Sequence, residues 1–527
     1  MLFSRTLRVK SLRTIVTPMS TFPKIDFGDT KKSFEHNTNL ELFRSYFVYQ
    51  CCRLPWIVSR SEVLIRMSYK YLGSRITDFF LEKSFYGHFC AGKDTEEIKT
   101  VVWKLDKNGI GSILDYAAEA DIADDPLDVI ENQTNAERNI VARVYDYKNE
   151  ELCDRRAKVF AQCLRSANAV KGSQTNGFVA IKVTALTNPM LLEKMSTTVT
   201  ALRHLFLQFD EDQSGYISAE EFHRQYHTHF VGSDAEKLFE KLDSNNDGKI
   251  DYVAWSNHIT IEDLGKLTSQ CRTQGPLFNA TFTDEETALL KNMRTRMNDL
   301  ANLAKKMDVH MMIDAEHTYF QPAIDNIAYT LMKSHNKDKA VIFTTYQMYL
   351  VDSMQRLHTD LHRAHTGDYY FAAKLVRGAY MELERNRAQT MGIPDPIQPT
   401  KQATDDNYNA GVSEVLSLMA QKRKVELMIA SHNQQSVEHT IALMEQFSIG
   451  PEGPVHFAQL MGMADHLTYG LGRANFKAYK YVPYGLVREV MPYLIRRAQE
   501  NSGMLGGALN EIAMSRKEII RRFWCRD

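Results

Sequence analysis

The chain of 527 residues is long enough for two or more domains, and its 44% hydrophobic content permits a large core. A net charge of −1 at pH 7 gives no reason to expect a nucleic acid as a partner, and no run of about 18 apolar residues indicates a membrane-spanning helix. The seven cysteines show neither metal-ligand spacing nor a disulfide framework, so free thiols in a reducing compartment are the simplest interpretation.

Residues 1–25 are predicted to be a mitochondrial presequence. They contain five basic residues, frequent Ser and Thr, and an apolar side that includes Phe3 and Leu7, while the first acidic residue is Asp26. An amphipathic, basic segment without acidic residues is typical of such targeting sequences. A disordered basic tail is the alternative.

Residues 30–175 are predicted to form a helical N-terminal region. Apolar residues at spacings of three and four predict helices over 38–90, and a short charged helix is expected over 93–109, ending at Asn108-Gly109. The block at 110–170 is also predicted to be helical. This region indicates packing and no particular function.

From residue 178 onward, short apolar runs rich in β-branched residues predict buried parallel strands. They lie at 178–186, 309–314, 340–345, 371–376, 425–430, 455–460 and 478–482. Helical segments separate most of them, which predicts an α/β fold, most simply a (β/α)₈ barrel built from 176–190 and 300–527, with the eighth strand unassigned. Because chemistry in such barrels lies at the carboxyl ends of the strands, the polar residues after these runs are candidate site residues.

An insertion at 195–265 contains a predicted calcium loop of the EF-hand type. Oxygen-bearing side chains fill loop positions 1, 3, 5, 9 and 12, glycine stands at position 6, and a backbone carbonyl is available at position 7. The predicted ligands are Asp210, Asp212, Ser214, the carbonyl of Tyr216, Ser218 and Glu221. A second loop, 243–254, has Ala254 at position 12, so we expect it to bind Ca²⁺ weakly. A structural pair that no longer binds calcium is the alternative.

A helix predicted at 493–501 carries an unusual face. Tyr493, Arg496, Arg497 and Glu500 have the spacing that places them on one side of a helix. Two adjacent guanidinium groups suit a small carboxylate, and Glu500 is expected to hold Arg496 from four residues away. An ordinary solvated helix face with a surface salt bridge is the alternative.

Taken together, these motifs resemble the proline dehydrogenase family over about 176–190 and 300–505. The motifs are Ala180-Ile-Lys182-Val-Thr-Ala-Leu186, Ile313-Asp314-Ala-Glu316, Lys374-Leu-Val-Arg377-Gly378-Ala-Tyr380, Ser431-His432-Asn433 and Tyr493 to Asn501. The resemblance implies a distorted (β/α)₈ barrel that holds FAD and oxidises L-proline to Δ1-pyrroline-5-carboxylate. It also implies electron transfer to ubiquinone, with peripheral attachment to the matrix side of the inner mitochondrial membrane.

The resemblance also implies roles for individual residues. Arg496, Arg497 and Lys182 would clamp the substrate carboxylate, with Asp314 compensating their charge. Tyr481 and Tyr493 would form aromatic walls over the proline ring, and Leu460 an apolar floor. The implied FAD contacts are Lys374, Val376, Gly378, Ser431, His432 and Asn433.

Two other functions are compatible with the sequence. The first is a hydroxyproline dehydrogenase, although the bulk and hydroxyl of Tyr481 would crowd a 4-hydroxyl group and favour proline. The second is a calcium-binding protein on an inactive barrel, against which the complete set of clamp residues argues.

Overall fold

The computed structural model describes residues 22–117, 147–172, 176–231, 234–259, 271–272, 281–503 and 505–524. Residues 1–21 of the predicted presequence lie outside this range. Ten strands occur among the described residues. In chain order they are β1 (Ile110–Tyr116), β2 (Gly177–Ile181), β3 (Tyr216–Ser218), β4 (Lys249–Asp251), β5 (Val309–Ile313), β6 (Ile342–Gln347), β7 (Phe371–Val376), β8 (Val425–Ala430), β9 (Val455–Leu460) and β10 (Lys477–Tyr484).

Eight of these strands are parallel and close into a barrel, which confirms the predicted architecture. Their order around the barrel is β1-β10-β9-β8-β7-β6-β5-β2. Each of the seven runs predicted as strands overlaps a barrel strand. Helices separate most successive strands along the chain, so the sheet is covered on its outer surface and its apolar side chains are buried.

The eighth strand is β1, and the prediction of a helical block at 110–170 is therefore wrong over its first seven residues. Ile110, Ile113 and Leu114 have the spacing of a helical face, which hides the strand in the sequence. In the barrel β1 is buried nearly throughout and pairs with β10, placing Ile113 opposite Tyr481, and with β2. The barrel thus begins inside the predicted N-terminal region.

Twenty α-helices are described. They are α1 (Thr30–Phe34), α2 (Asn39–Cys52), α3 (Pro55–Ser59), α4 (Ser61–Lys83), α5 (Phe85–Phe89), α6 (Thr95–Asp106), α7 (Glu150–Val170), α8 (Pro189–Phe209), α9 (Ala219–His229), α10 (Ala235–Leu242), α11 (Tyr252–His258), α12 (Asp284–Met307), α13 (Gln321–His335), α14 (Ser353–Thr366), α15 (Met381–Met391), α16 (Lys401–Ala420), α17 (Gln434–Gln446), α18 (Asp465–Arg473), α19 (Met491–Gly503) and α20 (Leu505–Trp524). None of them is both long and apolar enough to cross a membrane.

Helices α2, α5 and α19 meet in a hydrophobic cluster at the carboxyl ends of the strands, which we call the mouth cluster. Its buried members are Val48, Cys52, Tyr86, Phe89, Cys90, Ala117, Met463, Val487, Val490, Met491, Tyr493, Leu494, Ile495 and Ala498. Leu460, at the end of β9, packs against this cluster from the barrel side. The N-terminal helices therefore help to cover the barrel at the end where the candidate site residues lie.

Residues 189–258 form two helix–loop–helix units, which we call the module. The first consists of α8, β3 and α9, and the second of α10, β4 and α11. Strands β3 and β4 pair antiparallel with Ile217 opposite Ile250, which joins the two loops. In the core of the module, Trp255 is buried and its indole N–H donates a hydrogen bond of 3.2 Å to the Leu202 carbonyl. Residues 260–265 of the predicted insertion lie outside the described residues.

Candidate active site

The predicted substrate residues come together at the carboxyl ends of the barrel strands. Strand β2 ends at Ile181 and a short 3₁₀ turn follows, so Lys182 lies at the rim and not within the longer strand that the sequence predicted. Asp314 directly follows β5, and its backbone N–H donates to the Ile181 carbonyl at 3.0 Å. Tyr481 lies on β10, opposite Leu460 of β9. Residues far apart in the chain thus share one small region.

The ammonium group of Lys182 pairs with a carboxylate that sequence reasoning missed. Its Nζ lies 3.3 Å from Oδ1 of Asp115, near the end of β1, and both side chains are largely buried. The opposite charges of a pair that is largely removed from water attract each other strongly, so Asp115 helps to position Lys182. No sequence signal pointed to Asp115, because the strand that carries it was not recognised.

Asp314 connects two other candidate residues. Lys374 donates from Nζ to Oδ1 of Asp314 at 2.5 Å, and the Tyr481 hydroxyl donates to Oδ2 at 3.2 Å. Burial, together with the nearby carboxylates Asp115 and Asp314, raises the pKa of Tyr481 well above its usual value, so the phenol remains a donor. Lys374 therefore contacts a carboxylate that the sequence associated with the substrate clamp.

Helix α19 confirms the predicted helix at 493–501 and buries Tyr493 and Arg497. The structure records an ion pair between Glu500 and Arg497, three residues apart, and the contact expected between Glu500 and Arg496 stays a prediction. The Arg497 guanidinium also lies over the Tyr493 ring, 5.0 Å from its centroid. Arg496 is half-buried on the same helix.

Two polar atoms of α19 are buried without a hydrogen-bond partner among the described residues. They are Nε of Arg497 and the hydroxyl of Tyr493. Buried polar atoms are nearly always paired, and leaving one unpaired costs about 1–3 kcal/mol. Their position on the helix face that the sequence singled out points to a polar ligand at this site.

The segment Ser431-His432-Asn433 follows β8 and leads into α17. Asn433 caps this helix by accepting a hydrogen bond of 3.1 Å from the Ser436 N–H. Nε2 of His432 accepts from the Leu460 N–H at 3.1 Å, which leaves the proton of the neutral ring on Nδ1. Burial, reinforced by the positive charges of Lys480 and Arg497, lowers the pKa of His432 to about 3, so the ring is neutral at physiological pH.

The segment after β7 has a tightly constrained backbone. The Val376 carbonyl accepts a hydrogen bond of 2.8 Å from the Met348 N–H. Gly378 has φ +138°, and a Cβ atom there would lie 2.3 Å from the Tyr349 ring, so only glycine fits. Between them, Arg377 donates to Asp405 at 2.7 Å and to Ser431 Oγ at 2.6 Å, which ties this segment to the start of α17.

The first loop of the module brings its predicted acidic ligands together. Carboxylate oxygens of Asp210, Asp212 and Glu221 all lie within 4.8 Å of one another. Asp210 accepts hydrogen bonds from the backbone N–H groups of Ser214 and Gly215 at 2.9 and 3.0 Å. Burial raises the pKa of Asp210, an effect that a cation would oppose.

The remaining predicted ligands of the first loop lie in the same turn. The Tyr216 carbonyl accepts a hydrogen bond of 3.0 Å from the Ser214 hydroxyl. Ser218 caps α9, and its hydroxyl donates to Glu221 at 2.6 Å. The ligand-bearing groups are therefore oriented by hydrogen bonds within the loop itself.

The second loop has the same turn, but its last carboxylate makes different contacts. Asp243 accepts from the N–H groups of Asp247 and Gly248 at 3.1 and 2.9 Å, as Asp210 does in the first loop. Asp251, however, caps α11 and pairs with His362 of α14, with Oδ2 and Nε2 3.0 Å apart. This carboxylate attaches the module to the barrel.

Comparison with known proteins identifies the family. Residues 99–508 match the family model described as proline dehydrogenase. Proline dehydrogenase 1, mitochondrial, of Drosophila melanogaster is 34% identical over 94% of this chain and 81% of its own length. Hydroxyproline dehydrogenase of Rattus norvegicus is 29% identical over 93% of both chains.

A solved structure gives the same fold. Proline utilization A (PutA) from Bdellovibrio bacteriovorus, inactivated by N-propargylglycine, superposes with a TM-score of 0.54 at 16% identity. The alignment covers 89% of this chain and 38% of that protein, so this chain spans less than half of its length. Because the family model covers more than half of the sequence and relatives above 30% identity align over most of their length, this chain belongs to the proline dehydrogenase family.

Proposed function

We propose that this protein oxidises L-proline to Δ1-pyrroline-5-carboxylate. The reaction removes a hydride from the ring carbon beside the nitrogen and a proton from the nitrogen, so the C–N single bond becomes a double bond. The amine must be neutral for hydride loss, and water can accept its proton. The protein's task is then to hold the ring in one orientation and to exclude water.

The observation that best supports this proposal is the buried face of α19. Arg497 Nε and the Tyr493 hydroxyl have no hydrogen-bond partner among the described residues, and a guanidinium group recognises a carboxylate in two-point geometry. Lys182, Arg496 and Arg497 would supply the positive charge that balances this carboxylate. Tyr481 and Tyr493 would then pack against the proline ring, with Leu460 beneath it.

The same site is proposed to hold FAD, which would supply the two-electron acceptor when bound. A flavin presents carbonyl oxygens and ring nitrogens that need hydrogen-bond donors, and the site provides them. His432 is neutral with its proton on Nδ1, and the Lys374 ammonium group lies at the mouth beside Asp314. Lys374, His432, Ser431, Asn433 and the backbone at 376–378 would hold the cofactor.

We further propose that electrons pass to ubiquinone and that the protein works on the matrix side of the inner mitochondrial membrane. Its basic, acid-poor N-terminal segment and the mitochondrial names of its relatives support this location.

The first loop of the module is proposed to bind Ca²⁺ through Asp210, Asp212, Ser214, Tyr216, Ser218 and Glu221. Three carboxylates, one backbone carbonyl and two hydroxyls are oxygen ligands of the kind that Ca²⁺ prefers. In the second loop Ala254 replaces the last carboxylate ligand and Asp251 is paired with His362, so we expect no strong calcium binding there. Calorimetric titration of the purified protein with Ca²⁺ tests this, and one strong site is expected.

The absorbance spectrum of purified protein, recorded without oxygen before and after addition of L-proline, tests the proposed reaction. We expect a flavin band that bleaches with proline. Bleaching with 4-hydroxyproline but not with proline would instead assign a hydroxyproline dehydrogenase activity. Folded protein without any flavin band would contradict the proposal and favour a calcium-binding protein on an inactive barrel.

A further inference from the structure

Helix α4 has too little buried surface for its length. Of its 23 residues only Thr77 is buried, and Gly73, with φ +76°, divides it into two helical halves. Helices in water gain most of their stability by burying an apolar face against the rest of the protein. The exposed side of α4 therefore needs a physical explanation.

This exposed side is apolar along both halves. The first half presents Val63, Met67 and Tyr71, and the second presents Ile76, Phe79 and Phe80, at helical spacings of three and four. We call these six residues the α4 outer face. Phe79 and Phe80 are 55% and 61% exposed. Several exposed apolar side chains grouped on one element usually mark an interaction site.

The charges around the outer face are mainly basic. The exposed ones on or beside α4 are Arg60, Lys70, Arg75 and Lys83. The acidic groups of α4, Glu62, Asp78 and Glu82, are half-buried. Asp78 accepts from the Tyr69 hydroxyl at 2.7 Å, and Glu82 pairs with Lys93 at 2.6 Å. An apolar helix face flanked by exposed basic side chains matches an anionic lipid surface.

The opposite side of α4 lies on the candidate active site. Ile65, Tyr69 and Leu81 pack against the mouth cluster, which contains Tyr493 and Leu494 of α19. Helix α4 therefore separates the mouth of the barrel from the α4 outer face. A surface bound to that face would lie next to the site.

We propose that the α4 outer face attaches the protein to an anionic lipid bilayer, with the barrel mouth turned toward the membrane. The apolar side chains would enter the acyl boundary while the basic side chains contact lipid phosphates. Only the consequence of the attachment, a short route for electrons to a lipid-soluble quinone, rests on the proposed function. A second copy of the chain is the competing occupant of the face.

Flotation of the full-length protein with vesicles tests the attachment. Vesicles of phosphatidylcholine and phosphatidylglycerol in equal amounts should bind the protein, and vesicles of phosphatidylcholine alone should bind it less. The double variant Phe79→Ser/Phe80→Ser should bind about tenfold more weakly or worse, because two large apolar groups are lost. The matched control is Met190→Ser/Leu207→Ser on α8, whose side chains are 78% and 56% exposed, and it should bind as the wild type does.

A second variant changes the basic residues and should alter binding to anionic vesicles only. Lys70→Glu/Arg75→Glu should bind the anionic vesicles at least 25-fold more weakly, about fivefold for each charge, and should bind neutral vesicles as before. Equal flotation of the wild type and the Phe79→Ser/Phe80→Ser variant would overturn the proposal. The proposal would also be overturned if the wild type were a dimer, the Phe79→Ser/Phe80→Ser variant a monomer, and neither protein floated with the vesicles. That result would assign the α4 outer face to a second copy of the chain.

Activity measurements separate this inference from the proposed function. The Phe79→Ser/Phe80→Ser variant should retain proline-dependent reduction of a water-soluble dye and lose reduction of a long-chain quinone embedded in vesicles. If the wild type reduces neither acceptor, the proposed function fails while flotation still decides the attachment. If the variant loses both activities equally with flotation unchanged, α4 serves the active site and not the membrane.

Discussion

The barrel mouth and the module hold their polar side chains in opposite ways. At the mouth, three hydrogen-bonded pairs join residues far apart in the sequence: Lys182 and Asp115 by 67 residues, Lys374 and Asp314 by 60, and Tyr481 and Asp314 by 167. In the first loop of the module, the bonds of Ser214 and Gly215 to Asp210 span four and five residues. The mouth therefore exists only when the barrel closes, whereas the loop is organised by its own residues. Variants at the mouth should alter turnover or folding, and variants in the module should leave proline turnover intact.

Among variants at the mouth, we expect the largest loss of activity at Arg497. Arg497→Met removes the guanidinium group that we assign to the substrate carboxylate, so kcat/KM for proline should fall about 100- to 1,000-fold. Arg521→Met is the matched control, since Arg521 also pairs with a glutamate three residues away, Glu518, on the terminal helix α20. Steady-state kinetics should show a change of no more than about twofold for this control. A loss below tenfold for Arg497→Met would remove Arg497 from the clamp.

The next effect tests whether the mouth depends on its long-range pairs for folding. Asp115→Asn removes the carboxylate that pairs with the largely buried Lys182, and we expect a loss of about 3 kcal/mol in the free energy of unfolding. The control is Asp308→Asn, which removes an exposed partner of Lys339 and should cost about 0.5 kcal/mol or less. Urea unfolding of the two variants measures both. Equal stabilities would mean that the position of Lys182 does not depend on Asp115.

A third prediction concerns the first loop of the module. Glu221→Gln removes one ligand charge, so calcium affinity should fall on the order of 100-fold, while kcat/KM for proline should be unchanged. Glu220→Gln, the exposed neighbour on the same helix, should leave calcium affinity unchanged. Calorimetric titration and proline kinetics on the same preparations decide both statements. A parallel loss of turnover in calcium-free buffer would show that the two regions are coupled.

The same contrast explains what could be predicted from the sequence. The loop ligands occupy twelve consecutive positions, so their spacing reveals the turn that joins them. Asp115 could not be recognised, because Ile110, Ile113 and Leu114 imitate a helical face and the strand is defined by its pairing with β10. The spacing of four residues suggested that Glu500 holds Arg496, and it did not indicate the ion pair with Arg497, which also packs against the Tyr493 ring.

The contact between Asp251 of the module and His362 of the barrel helix α14 gives the prediction with the smallest expected effect. The hydrogen bond and charge of Asp251 raise the pKa of His362, although burial and the nearby Arg363 and Arg423 oppose the shift. A histidine whose pKa is higher in the folded state than its unfolded value of about 6.5 stabilises the fold fully below that value. The contribution disappears as the pH rises through the folded-state pKa. Attachment of the module should therefore weaken at alkaline pH.

Hydrogen exchange of the α11 amides in His362→Gln measures this attachment. Because the His362 side chain is 49% exposed, the pair contributes only about 0.2–1 kcal/mol. Exchange should be faster than in the wild type at acidic to neutral pH and equal to it at alkaline pH, once intrinsic exchange rates are corrected for. His358→Gln on the same helix is the matched control, since His358 contacts Glu414 of α16, with Nδ1 and Oε1 2.9 Å apart, and lies outside this contact. If His358→Gln accelerates α11 exchange as much as His362→Gln does, the effect belongs to α14 as a whole and not to the pair with Asp251.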